Sequence, residues 1–151
     1  MNRWFSALVD ESIQLELNVA ELYMLFYEVF PEDSDFWWKL VIEEKNHAAL
    51  IKSIRDIFQD VVGVPEKIFA QSLKEVKGAN LEVTGKISSF RENNPSREEA
   101  FATALELERS AGEAHFQDFM DKSTGQSPIA RVFQKLNGAD RDHAERILEY
   151  A

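Results

Sequence analysis

Apolar positions between residues 13 and 30 recur at three- and four-residue steps, with Ile13, Ala20, Tyr23, Tyr27 and Phe30 on one stripe. That spacing belongs to an amphipathic helix rather than a strand. Pro31 ends it, because proline has no N–H to donate and its ring crowds the preceding turn. Asp33 or Ser34 then offers a cap for a second helix through Trp37, Leu40, Val41, Leu50, Ile51, Ile54 and Phe58, which Gly63 and Pro65 break. So short a turn predicts antiparallel neighbours.

The next stretch is patterned less clearly. PEKIFAQSLKEV reads as a short helix, GANLEVTGKISSF as mixed and RENNPS as a loop, so residues 63–95 predict a long connection. A third helix is expected from Ser96, with Glu99 three residues on as a capping box, through AFATALELERSAGEAHFQDFM to Lys122. STGQSP supplies a break, and ARVFQKLNGADRDHAERILEY predicts a fourth helix despite Gly138, which costs about 1 kcal/mol relative to alanine. The expectation is all-α: one domain over residues 1–151, a four-helix bundle with short, long and short connections and no strand.

The two halves repeat. His47-Ala48 matches His143-Ala144, and Glu16, Ala20, Glu21 and Tyr23 match Glu108, Gly112, Glu113 and His115. Each half is a helical hairpin with a Glu on its first helix and carboxylate-x-x-His on its second. Residues three apart share a helix face, so Glu44 with His47, and Asp140 with His143, each project together as a pair able to grip a cation. In four-helix di-metal carboxylate proteins, two helices each give one inward Glu and two give Glu-x-x-His. Glu16 shares the apolar stripe, whereas Glu21 lies roughly 140° round the helix, so Glu16 is the preferred inward carboxylate. By the repeat, Glu108 is preferred over Glu106 and Glu113.

Composition narrows the chemistry. There is no cysteine, so disulfides, thiolate zinc sites and rubredoxin-type iron are excluded, and any metal must be held by oxygen and imidazole, a set that favours iron or manganese. The 27 Asp and Glu against 17 Lys and Arg give a net charge of −10, which argues against a nucleic-acid partner. The N-terminus shows no signal-peptide pattern and no apolar run approaches about 18 residues, so a soluble cytoplasmic protein is expected.

Taken together, Glu16-x6-Tyr23, Glu44-x2-His47-Ala, Glu108 and Asp140-x2-His143-Ala resemble the rubrerythrin family of the ferritin-like superfamily over nearly the whole chain. The resemblance implies a ferritin-like bundle and two iron ions, with manganese or a mixed pair as variants. They would be held by Glu16, Glu44, His47, Glu108, Asp140 and His143. It implies reduction of hydrogen peroxide or dioxygen, often by a homodimer, and makes Tyr23 a hydrogen-bond donor to a ligating carboxylate. The chain departs from the pattern in three ways. With no rubredoxin module in this sequence, turnover is expected to need an external electron donor. Asp140 stands where the family usually has Glu, which leaves its reach as a bridge open. His115 stands where a second tyrosine is expected, as an additional ligand or a hydrogen-bond partner of one. Two rival expectations remain: ferrous iron oxidation for storage or delivery, and a metal-free helical scaffold that binds a partner.

Overall fold

The computed structural model describes residues 3–57, 66–122 and 128–151; the side chains of residues 111–134 and of a few further helical positions fall outside the description. Among the described residues there are helices and no strand: α1 (Arg3–Val29), α2 (Ser34–Ile57), α3 (Glu66–Glu92), α4 (Arg97–Lys122) and α5 (Pro128–Tyr150). The all-α bundle expected from the periodicity is present. None of these helices is long and apolar enough to cross a membrane.

Pro31 opens a short 3-10 turn, Pro31–Asp33, that reverses the chain between α1 and α2. Ser96 caps α4, its Oγ accepting the Glu99 N–H at 3.1 Å. The core is lined by Leu8, Leu15, Leu22 and Phe26 of α1, Trp37 and Leu40 of α2, Phe69, Val76 and Val83 of α3, Ala100 and Ala104 of α4, and Ile147 of α5.

The expected long connection is instead largely a fifth helix. Along α3, Phe69, Leu73, Val76, Asn80, Val83, Ile87 and Phe90 are all buried, an alternation of four- and three-residue steps that makes one seam. Phe69 packs edge-on against Phe5 and Phe90 against Phe26, so the seam lies along α1. Asn80 is its one polar member. Its amide donates to the Glu11 carbonyl at 3.0 Å and accepts from Asn18 Nδ2 at 2.9 Å, which registers α3 on α1 without leaving a buried amide unpaired. Gly78 and Gly85 made this stretch look mixed, yet both are exposed on the opposite face and a Cβ at either meets nothing within 4 Å. Burial of the seam outweighs their propensity cost. Gly78→Ala and Gly85→Ala are therefore expected each to stabilise the chain by about 0.5–1 kcal/mol, read as a higher urea midpoint. A lowered midpoint would show that the faces are assigned wrongly.

The two hairpins are joined at the α1–α2 turn. Buried Asp33 accepts from Arg97 Nε of α4 at 2.8 Å and from the Tyr150 hydroxyl of α5 at 2.9 Å, and Tyr150 stacks on Phe36 with ring centres 4.2 Å apart. These contacts fix the antiparallel register of α2 and α5. Three turns further along α2, that register brings Glu44 and His47 opposite His143 and Asp140.

Candidate metal centre

Four helices each deliver a carboxylate to one buried volume. Glu16 comes from α1, Glu44 from α2, Glu108 from α4 and Asp140 from α5, none more than 4% exposed. The i, i+3 spacing puts His47 and His143 beside Glu44 and Asp140, and their rings stack nearly parallel with centres 5.4 Å apart.

The donors fall into two overlapping groups. Glu44, Glu108, Asp140 and His143 each offer an atom within 4.8 Å of the others, and so do Glu16, His47 and Asp140. His143 Nδ1 is 2.9 Å from Glu44 Oε1 and 3.3 Å from Glu108 Oε1. His47 Nδ1 is 3.7 Å from Glu16 Oε2 and 3.6 Å from Glu44 Oε2. Glu44 is thus shared between the imidazoles, and Asp140, despite its shorter side chain, belongs to both groups. Glu16 lies on the His47 side and Glu108 on the His143 side. The Tyr23 hydroxyl donates to Glu108 Oε1 at 2.6 Å, tying α1 to α4.

Burial dominates the electrostatics. It pushes Glu16 well above the usual carboxylate range, with Glu44 adding to the rise. It lifts Glu44 to about 8, helped by the charge of Glu108, and raises Asp140 with help from Glu16 and Glu108. Burial also disfavours a charged His143, but its hydrogen bonds to Glu108 and Glu44 outweigh that and bring it up to about 11. Burial and the Glu108 charge raise Tyr23, which therefore stays a donor. Without a cation, the cluster escapes the cost of buried like charges by keeping protons.

The donor set suits a cation of the iron or manganese kind, with carboxylates and imidazoles and no thiolate. His47 adds a second indication: its Nδ1 is buried with no hydrogen-bond partner, an orphan a cation would satisfy.

Other sequence candidates lie elsewhere. Glu21 does not join the cluster; it is exposed and accepts from Arg91 of α3 at 2.6 Å, as expected from its place on the far side of the helix. The side chains of Glu113 and His115 lie outside the described residues. Glu43 reads in sequence as part of a solvated charge run, EEKN, but it is partly buried against Arg146 of α5 and lies 3.5 Å from His143 Nε2. Only its neighbour across the bundle, 103 residues away, reveals this.

Comparison of the chain with protein-family models, with curated proteins and with solved structures finds no match in any of the three.

Proposed function

We propose that this chain is a non-haem di-iron carboxylate protein, rubrerythrin-like and of the ferritin-like kind, that reduces hydrogen peroxide or dioxygen with electrons from an external donor. The observation that carries the reading is the sharing of carboxylates: Glu44 and Asp140 each reach toward both imidazoles, and Glu16 and Glu108 flank them on opposite sides. Two cations held there would have Glu44 and Asp140 in common, and each would have one further carboxylate and one imidazole of its own. The redox chemistry belongs to the iron pair, which when bound supplies the electrons that reduce the oxidant.

The chain's own groups do the rest. Glu44 and Asp140 would hold the shared positions, and His47 and His143 would supply the nitrogen donors. Tyr23 fixes the Glu108 carboxylate through the hydrogen bond that its hydroxyl donates. Trp37, Phe26 and Leu22, all fully buried near Tyr23 or on its helix, keep that end of the site dry. His47 is the more open of the two imidazoles, with 14% of its side chain exposed, so the oxidant approaches on its side.

Elemental analysis of protein from iron-supplemented cells is expected to give about two irons per chain. Anaerobic ferrous titration followed by air should then develop the near-ultraviolet absorption of a carboxylate-bridged ferric pair. A chain that retains no iron and develops no absorption would leave a helical scaffold and end the di-iron reading.

A further inference from the structure

The two imidazoles differ in what lies behind them. Arg146 Nη1 grips both oxygens of Glu43, at 3.0 Å from Oε1 and 2.8 Å from Oε2. The same Arg146 nitrogen is steadied by Asp142 at 3.3 Å, one turn back on α5. Held in this way, Glu43 Oε2 sits 3.5 Å from Nε2 of His143, while Nδ1 of that ring faces Glu44 and Glu108. The ring is therefore caught between carboxylates on both edges.

An imidazole binds a cation through an unprotonated nitrogen and keeps its proton on the other. A carboxylate held beside Nε2 favours the proton on that nitrogen, and with it the tautomer whose lone pair is on Nδ1. Glu43 stands next to Glu44 on α2, so one short segment delivers a cluster carboxylate to one edge of the ring and the clamp to the other. Among the described residues His47 has no such partner: it ion-pairs with Glu16 and Glu44 alone, each closest to Nδ1.

We infer that Glu43, locked by Arg146, is a positioning residue that fixes His143 as an Nδ1 ligand, and that the absence of a counterpart for His47 among the described residues makes the two cation positions unequal in affinity. This rests on the di-metal reading above and goes beyond it, since neither Glu43 nor Arg146 belongs to the two donor groups. The His143 position fills first and the His47 position second.

Cobalt(II) is the probe, because its visible absorption reports the ligand field and it needs no oxidant. The metal-free wild type, Glu43→Ala, Glu43→Gln and Arg146→Met are titrated at one pH, and the melting temperature of each metal-free chain is recorded. Wild type is expected to bind in two resolved steps. Glu43→Ala should weaken the tighter step by about 10–100-fold and shift its absorption band while leaving the weaker step in place. Glu43→Gln, which keeps a carbonyl acceptor, should recover most of the loss, and Arg146→Met should fall between. Unchanged affinities and spectrum in Glu43→Ala overturn the inference while sparing the di-metal reading. Equal weakening of both steps, tracking a lower metal-free melting temperature, also overturns it by making Glu43 merely structural. Wild type that binds no cobalt removes both, and is told apart because the failure then precedes any substitution.

Discussion

Loading the metal-free chain with ferrous iron is expected to raise its stability by several kcal/mol at pH 8, and by much less at pH 5. The sign follows from the protons that burial keeps on the cluster. Glu44 has its folded value raised from 4.5 to about 8, so its contribution is fully present below pH 4.5 and is lost as the pH rises toward 8. Glu16 and Asp140 are raised too, and act in the same direction. His143 is raised from 6.5 to about 11, so it adds a second loss that begins near pH 6.5 and ends near 11. Each retained proton makes stability fall by about 1.4 kcal/mol per pH unit across its window, although coupled groups share these steps rather than adding independently. The metal-free chain is therefore expected to be more stable at pH 5 than at pH 8.

A bound cation takes the place of those protons and removes the penalty. Binding at 1,000 times the dissociation constant contributes about 4 kcal/mol for a single site, and because the cation competes with protons its affinity climbs with pH. Thermal melts of chelator-treated and iron-loaded protein at pH 5 and pH 8 measure this directly. Indistinguishable melts of the two forms at pH 8 would contradict a buried cation site.

Replacing Glu44 with alanine is expected to abolish iron binding and iron oxidation altogether. Glu44 is one of two carboxylates, with Asp140, within reach of both His143 and His47, so its loss takes a donor from both positions. The effect should exceed the roughly 10–100-fold typical of an outer-sphere residue. His47→Ala should abolish oxidation as well with the bundle intact, since its Nδ1 makes no hydrogen bond on which the fold depends. Glu21→Ala is the contrast. It breaks only an exposed pair with Arg91, worth about 0–1 kcal/mol, and should leave iron binding at the wild-type level. Iron oxidation that survives in Glu44→Ala or disappears in Glu21→Ala, read by near-ultraviolet absorption, would mean that the inward faces of α1 and α2 are misassigned.

The cluster's geometry could be anticipated from the sequence because helical periodicity is local and regular. Three-residue spacing alone puts Glu44 with His47 and Asp140 with His143, and the stripe through Ala20 and Tyr23 is enough to separate Glu16 from Glu21. The repeat then carries the same choice to Glu108. The structure brings these six residues together. Helix α3 was harder to see, since Gly78, Gly85 and Asn80 all lower local helix propensity while the decisive term, burial of seven seam positions against α1, is tertiary. Glu43 was hidden for a related reason. A run of charges on a helix is usually solvated, and nothing near Glu43 in the chain signals that Arg146 and His143 wait across the bundle.

The division of the cluster between the hairpins has a consequence for assembly kinetics. Tyr23 meets Glu108 across 85 residues of chain, and Glu44 meets His143 across 99. Neither α1–α2 nor α4–α5 alone offers more than two of the carboxylates and one of the imidazoles, too few to enclose a pair of cations. Contacts between partners so distant in sequence are expected to form after the local hairpins, because closing long loops costs entropy first. If the proposed cations bind, their capture would report on hairpin docking: a half-assembled chain would release its ion quickly, and retention would begin when α2 and α5 come into register.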